Sequence, residues 1–287
     1  MIEILKKEQL SSDVYLMKLH APHIAQSRRA GQFVILMMDD NYGERIPLTI
    51  ADGNEVEGSI TIIFQAVGGT TLQLSRMKEG EGISHVLGPL GTPTHIRKHS
   101  SPVVCVGGGI GTAPLYPIVQ AFKAAGNRVI TIMGARNKDL LILENEMAEL
   151  SDELIICTDD GSRGRKALVT EPLKELCESD VPPAEVVAIG PPVMMKFCSE
   201  TTRPFAVPTV VSLNTIMVDG TGMCGGCRVT VGDSTKFVCV DGPEFDGHKV
   251  DFNSMMSRMS SYKEQEKEHQ CRMDALAKDH IKGGTQP

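Results

Sequence analysis

The chain has 287 residues and a mass of 31.1 kDa, with 41% apolar residues, a formal net charge of −7 and a pI near 5.6. That size suits two or three compact domains, and the apolar content excludes a globally disordered chain. The acidic balance argues against a protein that lives on nucleic acid. No apolar run approaches the roughly 20 residues of a membrane span. The opening MIEILKKEQL has neither a long apolar core nor a cleavage site, so a cytoplasmic protein without a membrane partner is expected.

In chain order, residues 1–97 read as short β-rich runs: DVYLMKLHAP, GQFVILMM, RIPLTIADG and GSITIIFQAVG. Each is bounded by Gly, Pro, Asn or Asp, which predicts an antiparallel barrel or sandwich. TTLQLSRMKEGE (70–81) predicts a short helix with an exit turn. Residues 98–207 change pattern. VVCVG is a continuous apolar strand of the kind buried on both faces of a parallel sheet. RVITIMG, ELIICTDDG and EVVAIGP then alternate with helical stretches near 113–125, 140–150, 166–178 and 192–202, which predicts an α/β domain. Residues 208–252 are rich in Gly and Cys, with short strands in CRVTV and TKFVCV, and predict a small third unit that needs a staple. From Asn253 to Lys282 there is no Gly or Pro, and a C-terminal helix is expected. Its first part carries Met255, Met256 and Met259, and its far end Met273, Leu276 and Ile281. Those apolar ends must pack on the chain's own body or on a partner.

Eight cysteines in a cytoplasmic chain are thiols or metal ligands rather than disulfides. Cys105, Cys157, Cys177, Cys198 and Cys271 stand singly and read as small buried hydrophobes. The others form Cys224-x2-Cys227-x11-Cys239, inside VDGTGMCGGCRVTV and TKFVCV. The spacing suits an iron–sulfur cluster, with glycines that let the loop wrap closely. Three cysteines and one further ligand also suit a structural zinc, although zinc ribbons usually pair two C-x2-C knuckles. Asp219 alone reads as a turn residue before Gly220.

GGGIGTAPLYP (107–117) joins a buried strand to a helix. Its glycines allow a diphosphate to approach the backbone, and the helix N-terminus offers N–H donors. Pro114 stands where the last Gly or Ala would be, so the turn is not the G-x-G-x-x-G/A fingerprint of the doubly wound dehydrogenases, and on its own it also reads as a tight strand–helix turn without a ligand.

The order of motifs resembles the ferredoxin–NADP reductase superfamily over residues 1–205. R-x-P-L-T (Arg45, Pro47, Leu48, Thr49) comes first, then the glycine turn, then G-P-P-x-M-M (Gly190, Pro191, Met194). The resemblance implies that Arg45 meets the FAD diphosphate and that Thr49 lies beside the reactive flavin nitrogen, its catalytic position. It makes GGTTLQLS, with Gly69, Thr70 and Thr71, a second flavin segment. It seats the NAD(P)(H) diphosphate on Gly107, Gly108, Gly109, Gly111 and Thr112. Ala135 and Arg136 in GARNKDLL, and Asp160 in TDDGSRGRKALV, fall where the adenosine end lies. The preference between NAD(H) and NADP(H) stays open. Where many such reductases have Cys before the last Gly-Pro, this chain has Ile189.

With its C-terminal cysteines, the layout resembles the electron-transfer subunits of dihydroorotate dehydrogenase, whose pattern is C-x4-C-x2-C-x(11–12)-C. Here Asp219 holds the first position. That substitution resembles the narrower sulfide dehydrogenase-like group, which includes the small subunits of NADH-dependent reduced ferredoxin:NADP oxidoreductases. It implies a [2Fe-2S] cluster on Asp219, Cys224, Cys227 and Cys239. It also implies a larger partner subunit carrying FAD and [4Fe-4S] clusters in a heterodimer, with ferredoxin engaged through the complex and electron bifurcation as its activity. Subunits of dihydroorotate dehydrogenase, sulfide reductase or hydrogenase are the alternatives on the same module, and a structural zinc protein is the non-enzymatic one. The tail helix is a candidate for part of the partner contact.

Overall fold

A computed structural model of the chain describes residues 1–38 and 44–261. The first sheet is antiparallel and comprises β1 (Ile2–Gln9), β2 (Val14–His20), β3 (Phe33–Met37), β4 (Arg45–Asn54), β5 (Ser59–Gln65), β6 (Gly82–Ile83) and β7 (His85–Leu90). Its order is β6-β1-β2-β5-β4-β3-β7. Only Ser84 separates the two edge strands in the chain, so the sheet must roll until its edges approach. The alternation of β5 explains its core. Ile60, Ile62 and Phe64 point inward onto Ile4, Met17, Leu19 and Leu36. Helix α1 (Pro22–Ser27) covers one end. Helix α2 (Gly69–Arg76) occupies the first part of the helix expected over 70–81.

Linker residues 91–102 lead to β8 (Val103–Gly108). Val104 and Val106 face one core and Val103 and Cys105 the other, which is why this strand reads as an unbroken apolar run. Each such buried side chain contributes about 1.5–3 kcal/mol. Helix α3 (Thr112–Ala124) follows, with Pro114 in its first turn, where backbone N–H groups have no helical acceptor. Then come β9 (Val129–Ala135), α4 (Glu144–Leu150), β10 (Glu153–Thr158), β11 (Arg165–Lys166), α5 (Thr170–Cys177), β12 (Glu185–Ile189), α6 (Pro192–Thr202) and β13 (Thr209–Ser212).

The segment expected as a small third unit is tied at both ends into this sheet. After β13 the chain leaves to form a hairpin, β14 (Arg228–Val231) and β15 (Ser234–Phe237), and the short helix α7 (Val238–Asp241). It returns as β16 (Glu244–Asp246), antiparallel to β13. The sheet order is β11-β10-β9-β8-β12-β13-β16. The expected strand TKFVCV ends at Phe237, and Cys239 sits on the helical turn of α7.

Helix α8 (Phe252–Ser260) packs on the chain's own body. Met255 is buried, and Met256 and Met259 lie against the core between the two sheets. The methionine face of this part of the expected tail helix is therefore taken up by the chain itself, while Asn253, Ser254, Ser257 and Ser260 are exposed. Residues 262–287, including Cys271, Met273, Leu276 and Ile281, lie outside the described residues.

Candidate functional site

The flavin motif opens β4. Pairing with β3 puts Pro47 opposite Ile35 and Thr49 opposite Phe33. Directly paired residues share a sheet face. Ile35 and Phe33 belong to the core between the two sheets, whereas Ile46 and Leu48 pack on the barrel core. Arg45, Pro47 and Thr49 therefore occupy the face turned toward the α/β sheet. Arg45 is exposed and has no carboxylate partner among the described residues. Thr70 Oγ1 donates to the Glu44 carboxylate at 2.5 Å, which ties the start of α2 to the start of β4. Thr71 Oγ1 accepts the Gly68 N–H at 2.9 Å and fixes the turn that opens α2 at Gly69. The two predicted flavin segments are thus neighbours. Glu44 was not foreseen, and its position next to Arg45 was the only available signal.

The nucleotide motifs meet where the strand order reverses. β9 and β10 lie to one side of β8, while β12 and β13 lie to the other, so the crevice between the C-terminal ends of β8 and β12 is the switch point of the sheet. The glycines there are required by packing. A Cβ on Gly111 would stand 2.4 Å from the Ile189 carbonyl oxygen, and one on Gly108 would stand 2.3 Å from Met194 Sδ. Gly190 packs against Met194 and against Gly108 Cα, and Pro191 closes on Gly108. Gly107 is hemmed in by Leu115 and Thr112, the latter buried. Gly109, at φ +54°, alone faces open space. The turn presents the backbone and the N-terminus of α3 to whatever occupies the crevice.

The loops after β9 and β10 are stitched together. The Asp159 N–H donates to the Ala135 carbonyl at 3.1 Å, and the Asp160 N–H donates to the Arg136 carbonyl at 3.3 Å. Hydrogen bonds from Ser162 hold the Asp160 carboxyl below the ordinary carboxylate range. Arg163 pairs with Glu144, and Arg165 pairs with both oxygens of Glu175. Arg136 is exposed and has no carboxylate partner among the described residues.

The cysteine loop holds a formed thiol pair, with Cys227 Sγ 3.3 Å from Cys239 Sγ and both residues buried. Burial, then the Cys227 thiol, push the Cys239 thiol up to about 12. Metal binding there must therefore displace protons. Asp219 Oδ1 accepts the Thr221 N–H and Oδ2 accepts the Cys224 N–H, each at 3.0 Å. These bonds, led by Thr221, hold its carboxyl below the ordinary range. Cys224 is exposed, and its sulfur accepts the Gly226 N–H at 3.4 Å. Gly220, Gly222 and Gly225 all take positive φ, which lets the loop reverse. Among the described residues no three His, Cys, Asp or Glu side chains already converge as a metal-binding group. The thiol pair is formed, and the other two donors lie on the same loop, joined by the Asp219–Cys224 bond. Soft thiolates with one carboxylate on a glycine-rich loop fit an iron–sulfur centre.

The cysteine loop also touches the flavin sheet. A Cβ on Gly220 would stand 2.7 Å from Ile35 Cγ1 and 2.9 Å from Leu90 Cδ1. Ile35 is the partner of Pro47, so the loop packs on the strand that pairs with the flavin motif.

Fold and site together define an oxidoreductase of the ferredoxin reductase type, equipped for electron transfer. Residues 105–200 match the oxidoreductase NAD-binding domain, and residues 214–251 match the iron–sulfur cluster binding domain of dihydroorotate dehydrogenase B. The chain belongs to the family of dihydroorotate dehydrogenase B electron transfer subunits and their homologues. It is 48% identical to the "Dihydroorotate dehydrogenase B (NAD(+)), electron transfer subunit homolog" of Thermotoga maritima, over 92% of this chain and 93% of that one. It is 47% identical to a chain in a solved structure of the NADH-dependent reduced ferredoxin-NADP oxidoreductase, studied for flavin-based electron bifurcation. That match has a TM-score of 0.89 and covers 95% of this chain and 97% of the other. A ferredoxin NADP+ reductase from Neisseria gonorrhoeae with bound FAD and NADP shares the fold alone, at 16% identity and a TM-score of 0.57, over 71% of this chain and 90% of that one. The family and fold imply an iron–sulfur centre, FAD and NAD as cofactors, and a larger catalytic partner. Among the described residues no helix is long and apolar enough to cross a membrane.

Proposed function

We propose that this chain is the NAD(H)-reacting small subunit of an electron-bifurcating flavoprotein that couples NAD(H), NADP(H) and ferredoxin. The chemistry supplied by the bound groups is hydride exchange at FAD and single-electron carriage at a [2Fe-2S] cluster. Arg45 and the start of α2, at Gly69 to Thr71, hold the FAD diphosphate, and Thr49 presents its hydroxyl to the flavin ring. The turn Gly107–Thr112, with Gly190 and Pro191 across the crevice, holds the nicotinamide dinucleotide. Ala135, Arg136 and Asp160 take its adenosine end. Asp219, Cys224, Cys227 and Cys239 hold the cluster. A larger subunit carrying FAD and [4Fe-4S] clusters completes a heterodimer.

The observation that carries this reading is the contact of Gly220 with Ile35, the strand partner of Pro47. It supports the reading because the cysteine loop packs on the strand that pairs with the flavin motif. The likeness to the oxidoreductase chain extends over nearly the whole length and supports the bifurcating reading; a dihydroorotate dehydrogenase role is the alternative, since the homolog of that electron transfer subunit matches over a similar length.

Metal analysis, the visible spectrum of the purified chain and identification of the copurifying subunit test the reading. Iron, flavin absorbance and a large iron–sulfur flavoprotein are the expected results. Zinc without flavin or iron–sulfur absorbance would sink it. For the fourth ligand, Asp219→Cys must shift the EPR signal and the potential of the cluster. An unchanged signal removes Asp219 from the ligand set.

A further inference from the structure

Beyond the Gly220 contact, the cluster loop is fastened to the flavin sheet at its far end. The flavin domain leaves β7 through residues 91–94. The Thr92 N–H donates to the Gly242 carbonyl at 2.6 Å, and Thr92 Oγ1 donates to the Val240 carbonyl at 3.2 Å. Thr94 Oγ1 donates to Glu244 Oε1 at 2.5 Å, while the Thr94 N–H donates to the Ala30 carbonyl, just before β3. The fit is tight around this point. A Cβ on Gly31 would stand 2.3 Å from Thr94 Oγ1 and 2.9 Å from Glu244 Oε1, and one on Gly91 would stand 3.1 Å from the Gly242 carbonyl oxygen. None of these residues belongs to a cofactor motif, and Thr94 and Glu244 are 150 positions apart in the chain.

Glu244 begins β16, the strand by which the cluster loop returns to the nucleotide sheet, and Cys239 lies on the turn just before it. Residues 92–94 thus bridge the flavin domain to the segment that carries the last thiol. A carboxyl with little solvent around it that accepts a hydroxyl donor costs stability when left unpaired. Thr94 answers it from the flavin side.

We propose that Thr94 and Glu244 are positioning residues for electron transfer, strapping the cluster loop at a fixed place on the flavin sheet. The assignment rests on the cofactor reading above. The strap touches neither cofactor motif and acts through the Cys239 turn. With the Thr94–Glu244 bond broken, the loop remains joined to the nucleotide sheet through β13 and β16 and to Thr92 through two hydrogen bonds, but loses its side-chain anchor on the flavin side.

The test compares Glu244→Gln, which keeps a carbonyl oxygen for Thr94, with Glu244→Ala and Thr94→Val, which break the bond. The full chain is followed by hydrogen exchange and by stopped-flow reduction with NADH. Losing one such hydrogen bond is expected to raise amide exchange in residues 218–242 about tenfold in Glu244→Ala and Thr94→Val. The same two variants should slow the bleaching of the iron–sulfur bands while the flavin is reduced at the wild-type rate. Glu244→Gln should stay close to wild type in both readouts. Unchanged exchange in Thr94→Val overturns the strap, and so does a Glu244→Gln variant as impaired as Glu244→Ala. A wild-type chain without flavin or iron–sulfur absorbance overturns the cofactor reading and the electron-transfer role with it, while the exchange difference reports on the strap alone.

Discussion

Gly220 lies against Ile35 so closely that a single added methyl group would stand 2.7 Å from Ile35 Cγ1. The same glycine has φ +73°, in the left-handed region that costs other residues about 1–2 kcal/mol. Gly220→Ala therefore meets both a backbone penalty and a clash, together about 2–4 kcal/mol. A lower melting temperature and reduced iron content are expected, with the NADH affinity of the crevice between β8 and β12 unchanged. Calorimetry and an iron assay check this.

Arg45 is exposed and unpaired among the described residues, at the start of the strand that carries the flavin motif. Arg45→Ala is expected to weaken FAD binding about 10- to 100-fold, the range for losing hydrogen bonds to a charged group. Arg45→Lys should recover part of the loss, because it restores the charge without the planar fork. Flavin release on dilution, followed by fluorescence, measures both.

Gly111 separates two functions that share one chain. Its missing Cβ would meet the Ile189 carbonyl oxygen at 2.4 Å and Gly190 Cα at 2.7 Å, which are backbone atoms that cannot move aside. Gly111→Ala must push α3 away from β12, at a cost of about 2–4 kcal/mol. NADH binding is expected to fall sharply while FAD content stays at the wild-type level. Titration with NADH beside the flavin spectrum distinguishes this outcome from general unfolding.

Burial pushes the Glu244 carboxyl up to about 7 from an ordinary value of 4.5, opposed by its bond from Thr94. Burial raises Glu185 as well, opposed by His99, whose Nε2 lies 3.1 Å away. Between 4.5 and 7 the folded chain keeps a proton on Glu244 that the unfolded chain has lost. Stability contributed by Glu244 is therefore fully present below pH 4.5, falls as pH rises from there through 7 and stays reduced above it. For Glu244 the difference is on the order of 3 kcal/mol. Melting temperatures across pH 5 to 8 should decline by several degrees in the wild type. Glu244→Gln, always neutral, should flatten the decline.

Much of the chain was legible because local physics and tertiary structure agree. VVCVG reads as a buried strand because both faces of β8 are covered, and the glycine turn follows it as expected. The cysteine loop was legible from spacing alone, and its thiol pair is formed. The attachment of that loop was not legible. β13 and β16 are too short, at four and three residues, to announce membership of a sheet. Val238 and Val240 made the Cys239 segment look like a strand, yet the chain turns helically there to bring Cys239 beside Cys227. The Thr94–Glu244 bond has no local signal, since neither residue type nor spacing marks a partner so far along the chain.

The antiparallel meeting of β13 and β16 has an architectural consequence. Ser212 pairs with Glu244, and the Leu213 N–H donates to the Pro243 carbonyl at 2.9 Å, so the chain departs from and returns to the same spot. Everything between, residues 213–243, hangs from the mouth of a hairpin that a tight turn could close. Yet the segment is no appendage, because Leu213, Met217, Cys227, Val229, Val238 and Cys239 fill the core shared with Phe33, Ile35 and Met255. The cysteine loop is thus a branch inserted at one point of the sheet and keyed into the body from which it springs.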